Sequence, residues 1–353
     1  MGTSLDDVIV AAVPEVASAA VAVIAVDGVP VASAAAGELV RFADAAGTLA
    51  PDRPAAGPDT VFDLASLTKL FTTVVVLSLA EEGRLGLDDP VATWLPGHYG
   101  DRPAITVRHL LTHTAGLPSG RRVEAEPPGQ ARWDLILSTP ATAPPGAAHV
   151  YSDVGMITLG RVAEIAAGAS LDTLVRDRIT APLGLDDTAY RPDPALLPRI
   201  AATEYKAERG GCVRGQVHDE TAHALGGVSG HAGLFSTARD LLRFAEILRT
   251  GGAGILTPAS TAEMLRDHQV SGAVFRQGLG VRIGDPAIVG PLSDAYGHSG
   301  FTGTSLVVDL THGLTIILLT NNVHPLRDRA GIRDLRTAVA ATALRLRREG
   351  GLG

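Results

Sequence analysis

Ser66 and Lys69 stand three residues apart in the segment FDLASLTKLFTT, a spacing that places both side chains on one face of a helix. Lys69 is one of only two lysines in the chain, against 28 arginines. Arginine stays protonated at any cellular pH, whereas a buried lysine can lose its proton. A serine hydroxyl becomes a strong nucleophile only when a neighbouring group removes its proton. The pair therefore indicates nucleophilic catalysis by Ser66, with Lys69 either taking the proton or holding the group that does.

A structural explanation of the same residues is also open. Serine is a favoured N-cap residue, so Ser66 could simply start the helix that follows it. A serine and a lysine separated by two residues form a short pattern that occurs by chance in many proteins. The pattern needs support from other parts of the sequence.

Four further segments supply that support. They are TVRHLLTHTAGLP (106–118), PPGAAHVYSDVGMITLG (144–160), HALGGVSGHAGLFST (223–237) and GHSGFTGTSLVVD (297–309). Together with the Ser66 segment they resemble, in order and spacing, the penicillin-recognising serine hydrolases. That family includes class C β-lactamases, D-alanyl-D-alanine peptidases, D-aminopeptidases and related esterases. The resemblance extends from about residue 20 to 325, and several motifs in one order are far more specific than any single motif.

The resemblance implies an α+β fold: an antiparallel sheet flanked by helices, an inserted all-helical subdomain, and an active site in the cleft between them. It implies that Ser66 is the nucleophile, Lys69 its partner, and Tyr151 a general base. A tyrosine close to an ammonium group gives up its proton more readily, because the cation stabilises the phenolate. Whether Lys69 or Tyr151 accepts the serine proton stays open. The implied oxyanion hole consists of the backbone N–H groups of Ser66 and Phe301, which would stabilise a tetrahedral intermediate.

Two motifs depart from the pattern of the family. His298, Ser299 and Gly300 stand where many relatives have lysine, threonine and glycine, and Asp153 replaces a common asparagine. All four are predicted to bind substrate. A histidine is mostly neutral near pH 7, so His298 favours an ester or amide substrate without a free carboxylate. An anion at Asp153 could keep Lys69 charged and so favour Tyr151 as the base.

The surrounding elements follow from hydrophobic patterns and turn residues. A helix is predicted over residues 3–15, a hairpin turning at Asp27-Gly28, and a long helix from 66 to 82. Strands return at GLGVRIG, TSLVVDL and LTIILLTNN, and an arginine-rich helix ends the chain. Strands at both ends predict one discontinuous subdomain, 1–74 with 266–353, and a mostly helical subdomain, 75–265.

Composition excludes several classes of function. A net charge of −8 and a pI of about 5.7 disfavour binding to nucleic acid or to anionic membranes. Cys212 is the single cysteine, so no internal disulfide can form, and a lone thiol is usually a small apolar filler. The chain has no lysine or arginine before Arg41, which is unlike a secretion signal and predicts a cytoplasmic protein.

Two other motifs are weaker. GHSG (297–300) lacks the second glycine of a nucleophile elbow, because Phe301 occupies that place. His109 and His113 are four residues apart, as in some metal sites, but no third ligand is evident and helix packing is the better explanation. No metal or organic cofactor is expected.

The sequence therefore predicts a serine hydrolase or acyltransferase that forms an acyl-Ser66 intermediate with a small-molecule ester or amide. Water, an alcohol or an amine would accept the acyl group. An esterase or transacylase is the first expectation, and a D-aminopeptidase, another amidase or a weak β-lactamase are alternatives. A catalytically silent relative that only binds a ligand is the alternative from another class. The oligomeric state is not predicted.

Overall fold

The computed structural model describes residues 3–350, which form α-helices and antiparallel strands. The strands are β1 Ala19–Val26, β2 Val29–Gly37, β3 Phe62–Asp63, β4 Ala189–Tyr190, β5 Tyr205–Lys206, β6 Gly211–Cys212, β7 Leu234–Ser236, β8 Arg276–Gln277, β9 Arg282–Ile283, β10 Tyr296–Ser299, β11 Ser305–Asp309 and β12 Leu314–Thr320. The α-helices are α1 Leu5–Ala12, α2 Thr68–Glu81, α3 Pro96–Tyr99, α4 Val107–Leu111, α5 Gln130–Leu137, α6 Asp153–Ala167, α7 Leu171–Val175, α8 Ala181–Leu183, α9 Glu220–Ala224, α10 Ala238–Arg249, α11 Pro258–Leu265, α12 Pro286–Val289 and α13 Ile332–Gly350. Short 3₁₀ or π turns cover Ala65–Leu67, Val91–Thr93, Arg176–Thr180, Pro194–Arg199 and Ala207–Arg209.

The largest sheet has the strand order β2-β1-β12-β11-β10-β9-β8 among the described residues, and every neighbouring pair is antiparallel. β1 and β2 form the predicted hairpin, whose turn residues Asp27 and Gly28 have φ of 50° and 83°. Two successive positive φ values are typical of the tight turn that matches strand twist. The segment LTIILLT of β12 is buried throughout, as expected for a strand with a helical layer on each side.

Helices cover both faces of this sheet. On one face α1, α12 and α13 pack on a cluster of small apolar side chains such as Ala22 and Ile24. On the other face α10 packs against β1, β11 and β12, and α2, which is buried from Thr68 to Leu79, lies within the larger cluster. The antiparallel sheet flanked by helices confirms the predicted fold class.

The division into two subdomains remains a prediction. The larger hydrophobic cluster contains residues of both predicted units, for example Val21 and Leu174. The small sheet β3-β7-β4 also joins β3, from the first unit, to two strands of the second. Within residues 3–350, no single helix has the length and apolar composition to cross a bilayer; α6 and 171–183 meet those criteria only as a pair bent by 79°.

A partly buried ion-pair network ties residues 204–220 to the segment before α13. Glu204 accepts hydrogen bonds from Nε2 of His218 at 2.8 Å and from Nε of Arg327 at 2.7 Å. Lys206 donates to the carboxylate of Glu220 at 2.5 Å and to the carbonyl of His218 at 2.8 Å. Because each charge has a hydrogen-bonded partner, the cost of burying these groups is offset.

This network predicts that acid weakens the fold through Glu204. Burial, the largest influence, raises the pKa of Glu204, but hydrogen bonds from His218 and Arg327 outweigh it and lower the pKa to about 2 from an ordinary 4.5. A carboxyl group with a depressed pKa stabilises the fold above its unfolded pKa and loses this contribution as the pH falls towards the folded pKa. Glu204→Gln should therefore lower Tm most at neutral pH, and the difference from wild type should shrink between pH 4.5 and 2.

Scanning calorimetry across that pH range measures the difference. Glu349→Gln is the matched control, since Glu349 is exposed and pairs with Arg345 on the surface. A Tm difference for Glu204→Gln that stays constant down to the lowest pH would contradict this role.

Candidate active site

Ser66 lies in a one-turn 3₁₀ helix between β3 and α2, and the backbone just before it has an uncommon conformation. Ala65 has φ 46°, a left-handed value that costs energy for a residue with a side chain. Asp63 holds it there, because its carboxylate accepts the N–H of Ala65 at 2.8 Å and that of His218 at 2.6 Å. The turn presents the half-buried hydroxyl of Ser66 at the start of α2.

The ammonium group of Lys69 is fully buried, and its neighbours are all acceptors. Nζ lies 2.8 Å from Oγ of Ser66, 3.1 Å from the carbonyl oxygen of His231 and 2.7 Å from a carboxylate oxygen of Asp153. Burial is the largest influence on the pKa of Lys69 and lowers it, but Asp153 and Tyr151 outweigh burial and raise the pKa above its ordinary value. Lys69 is therefore a cation in the resting site.

Tyr151 lies beside this cation at the start of α6. The centroid of its ring is 4.9 Å from Nζ of Lys69 and 4.8 Å from the guanidinium carbon of Arg282. Both cations therefore lie against the ring of Tyr151. The structure thus brings together the three residues that the sequence predicted to be catalytic.

Two local contacts hold Tyr151 in place. The imidazole of His113 packs on its ring with centroids 4.7 Å apart, and Nδ1 of His113 accepts the N–H of Ser152 at 3.2 Å. Ser152 caps α6 by accepting the N–H of Gly155 at 3.0 Å. Burial, followed by the charge of Lys69, holds the pKa of His113 well below its usual range, so this ring stays neutral and can accept.

His298 is buried next to Tyr151, with ring centroids 5.9 Å apart. Its Nδ1 lies 2.8 Å from the carbonyl oxygen of Ser299, which can only accept, so Nδ1 carries the proton. Burial, followed by the cations Arg282 and Lys69, holds the pKa of His298 well below its usual range. A neutral His298 agrees with the expectation from the sequence.

The turn after β10 is tied to the backbone before Ser66. The hydroxyls of Thr302 and Thr304 donate to the carbonyl oxygens of Asp63 at 2.7 Å and Leu64 at 3.0 Å. Within residues 3–350, the N–H groups of Ser66 and Phe301 donate to no protein acceptor. Two unused donors at the rim of one cavity are what an oxyanion hole requires.

A cavity of about 410 Å³ opens in front of Ser66. Its lining consists of Ser66, Tyr151, Arg282, Ser299, Gly300, Phe301, Gly303, Asn322, Arg327, Asp328, Ile332, Arg333 and Arg336. Ser299 and Gly300 therefore lie where the sequence predicted substrate contacts. Asp153 and His298 do not line the cavity: the carboxylate of Asp153 pairs with Lys69, and His298 is buried.

Sequence reasoning missed the arginines of this cavity. Arg282 stands on β9, whose short strand was predicted without a role, and Arg333 and Arg336 belong to the first two turns of α13. The sequence predicts α13 as an arginine-rich helix and gives its arginines no role in the site. The expectation of a substrate without a carboxylate rested on the neutral histidine at position 298. Arginines line the same cleft, so a neutral His298 does not by itself argue against a substrate carboxylate.

The weaker candidates have structural roles. Nδ1 of His109 accepts the N–H of Thr106 at 3.2 Å and so caps α4, whereas His113 contacts Tyr151. Among residues 3–350, no group of three His, Cys, Asp or Glu side chains is arranged to hold a metal ion. Burial raises the pKa of the Cys212 thiol to about 11, so it is not an activated nucleophile.

Comparison with known proteins gives consistent matches. The model of the family described as Beta-lactamase matches residues 7–341. The "Putative D-alanyl-D-alanine carboxypeptidase" of Escherichia coli strain K12 is 35% identical over 308 residues, which are 75% of this chain and 70% of that protein.

Among solved structures, EstCE1, "a hydrolase with promiscuous acyltransferase activity", is 27% identical and superimposes with a TM-score of 0.70 over 93% of this chain and 96% of its own. Unliganded simvastatin synthase (LovD) from Aspergillus terreus is 22% identical, with a TM-score of 0.74 over 97% of each chain. That second likeness shows the shared fold.

The ion pair in the site predicts the effect of Asp153→Asn. Burial lowers the pKa of Lys69, and the carboxylate of Asp153 counteracts this effect. Without the carboxylate the pKa of Lys69 should fall, so the ammonium should lose its proton at a lower pH than in wild type. Because the chain has only two lysines, NMR of protein labelled with ¹³C at the lysine ε-carbon should give two signals, one of them from Lys69. The Lys206 signal is the internal reference and should titrate alike in both proteins. An unchanged titration of Lys69 in the variant would refute the role of Asp153.

The packing of Gly300 predicts a second effect. A Cβ at this position would overlap the carbonyl oxygen of Leu64 and the hydroxyl of Thr304, so Gly300→Ala must displace the backbone that carries the N–H of Phe301. Loss of one oxyanion donor lowers kcat on the order of 100-fold. Steady-state kinetics with an activated ester measures this. Gly97→Ala, where an added Cβ meets no atom within 4 Å, should leave kcat unchanged, and equal kcat in both variants would contradict the oxyanion assignment.

Proposed function

Because this chain belongs to the Beta-lactamase family of serine hydrolases, we propose that it cleaves a small ester or amide through an acyl-Ser66 intermediate, as an esterase or transacylase. The observation that carries the proposal is the contact between Oγ of Ser66 and the buried ammonium of Lys69, at 2.8 Å on the floor of an open cavity. A serine with a purely structural role needs no buried cation beside it. Burying a cation costs free energy, so its presence beside Ser66 calls for a function.

The geometry supports Tyr151 as the proton acceptor. Lys69 is held as an ammonium by Asp153, and a protonated amine cannot take a proton. In the first step the oxygen of Ser66 attacks the carbonyl carbon while its proton passes to the side-chain oxygen of Tyr151, which acts as the general base. The new oxyanion lies against the N–H groups of Ser66 and Phe301. When the intermediate collapses, Tyr151 returns the proton to the leaving alcohol or amine.

The second half of the reaction repeats these steps with an acceptor. Water, or an alcohol or amine, gives its proton to Tyr151 and attacks the acyl carbonyl, and Ser66 leaves with a proton. Hydrolysis and acyl transfer share every protein group up to this choice. EstCE1, described as a hydrolase with promiscuous acyltransferase activity, supports considering both activities for this chain.

A peptidase is the second candidate. The curated relatives that are 32–35% identical carry names of D-alanyl-D-alanine carboxypeptidases. The arginines of the cavity could bind the terminal carboxylate of such a peptide. The bond that is cleaved, an ester or a peptide bond, decides between the two candidates.

The proposal predicts a covalent acyl group on Ser66. Wild-type protein should release p-nitrophenol from p-nitrophenyl acetate and should gain the mass of one acetyl group, while Ser66→Ala should do neither. Intact-protein mass spectrometry after brief exposure to esters, D-alanyl-D-alanine peptides and β-lactams would then identify the preferred donor. The control is Ser293→Ala, a serine that does not line the cavity.

Two results would count against the proposal. Turnover that survives in Ser66→Ala would refute the nucleophile. Absence of turnover and of any adduct across the whole panel would favour a catalytically silent binding protein.

A further inference from the structure

We propose that residues 119–126 form a strap that closes the cleft beside Asp153 and Asp219, and that this strap restricts the acyl group of the substrate to a short chain. Arg132, which lies outside the catalytic set, fastens the strap. The proposal rests on the function proposed above and adds to it a selectivity for the length of the acyl group.

Solvent reaches the site from a second side, beside two carboxylates. The carboxylate of Asp153 contacts the ammonium of Lys69 at 2.7 Å, and that of Asp219 bonds to His231, whose carbonyl oxygen accepts from the same ammonium. The side chains of Asp153 and Asp219 are 33% and 30% exposed, although Lys69 itself has no exposed surface. Neither carboxylate lines the cavity described above, so this opening is separate from it.

The proposed chemistry assigns this second side to the acyl group. Tyr151 returns the proton to the leaving group, so the leaving group lies in the cavity that Tyr151 lines. The oxyanion lies against the N–H groups of Ser66 and Phe301. The acyl group is bonded to the same carbon and must extend in another direction, and the side with Asp153 and Asp219 is open to solvent.

The strap crosses this side from one wall to the other. The carbonyl oxygen of Ser119 accepts the N–H of Asp153 at 2.8 Å, and the carbonyl oxygen of Arg121 accepts the hydroxyl of Thr221 at 3.3 Å. Thr221 belongs to α9, which begins directly after Asp219. Because the strap is tied to residues next to both carboxylates, an acyl chain that leaves the nucleophile in this direction meets the strap.

The strap is held by side chains rather than by its own backbone. The N–H groups of residues 120–125 donate to no acceptor within the described part of the chain. Val123 is fully buried in the larger hydrophobic cluster, whereas its neighbours from 119 to 125 are exposed. A segment with few backbone hydrogen bonds and few buried contacts opens without unfolding of the rest of the protein.

Arg132 fastens the strap to α9. Its Nε donates to the carbonyl oxygen of Glu126 at 2.9 Å, and one Nη donates to the carbonyl oxygen of Ala224 at 2.7 Å. A guanidinium group presents its donors in a rigid fork, so one side chain fixes the distance between the two segments. Removal of these donors should shift the strap towards an open position and leave the catalytic residues in place.

Hydrolysis of a series of p-nitrophenyl esters tests the selectivity. Wild type should hydrolyse the acetate and butanoate faster than the octanoate, because the strap blocks the longer chain. Arg132→Met keeps the length of the side chain and removes its donors, so kcat/KM for octanoate relative to acetate should rise about tenfold. Arg214→Met is the matched control and should leave this ratio unchanged. Arg214 also donates to two carbonyl oxygens, those of Pro198 and Ile200, which lie outside the strap.

Limited digestion with trypsin measures the opening without any reaction. Arg121 and Arg122 are exposed in the strap, and trypsin cuts after arginine where a segment is free to leave the protein surface. Arg132→Met should be cut at this pair faster than wild type, with the fragments identified by mass spectrometry, and Arg214→Met should be cut at the wild-type rate. Thr221→Val removes the hydroxyl that holds the strap and should act in the same direction, which keeps the test decisive if Arg132→Met does not fold.

The outcomes separate this proposal from the proposed function. If wild type hydrolyses the octanoate as fast as the acetate, or if Arg132→Met and Arg214→Met have the same length preference, the strap does not set the selectivity and the hydrolase stands. Faster cutting of Arg132→Met without a change in preference would also refute the proposal, and equal cutting of both variants would refute the role of Arg132. If no ester reacts, the proposed function fails, and the selectivity that rests on it fails with it.

Discussion

The burial of one ammonium group is the constraint on which the rest of the site depends. Lys69 has no exposed surface, so its charge must be balanced within the protein. Three acceptors do this: the serine hydroxyl, a main-chain carbonyl and the carboxylate of Asp153. They come from three segments that are far apart in sequence, and correct folding of all three is therefore required before the cation can be accommodated.

The scaffold supplies those segments through polar contacts that are themselves buried. Asp63 fixes the strained backbone before Ser66, and its other oxygen is satisfied by the N–H of His218. The His231 side chain bonds to Asp219 at 2.9 Å and to the hydroxyl of Ser229 at 2.9 Å, which orients the carbonyl that Lys69 needs. Ser66 and Lys69 are thus positioned by buried polar networks, which tolerate few conformations.

Sequence reasoning identified the fold class, the hairpin, the central helix and the residues around Ser66, because those features depend on local patterns or on motifs in a fixed order. It could not identify the cationic wall of the cavity. Arg282 approaches Tyr151 only because β9 pairs with β10, and Arg336 reaches the cleft only because α13 packs back across the sheet. No periodicity or spacing along the chain reports such contacts. Local patterns also cannot determine the subdomain boundaries, because one hydrophobic cluster includes residues of both predicted units.

The scarcity of lysine also has a more exact meaning in the structure than in the sequence. Both lysines are buried: Lys69 is 0% exposed and Lys206 is 4% exposed. Lys206 donates to Glu220 and to a carbonyl oxygen, and it stabilises an ion-pair network without any nucleophile beside it. A lysine retained in an arginine-rich chain therefore indicates a place for a compact buried ammonium, which is a steric requirement shared by both residues. What distinguishes Lys69 is its third kind of partner, a hydroxyl group that opens onto a cavity, and that contact is the reason why we propose a catalytic role for Lys69 and a structural one for Lys206.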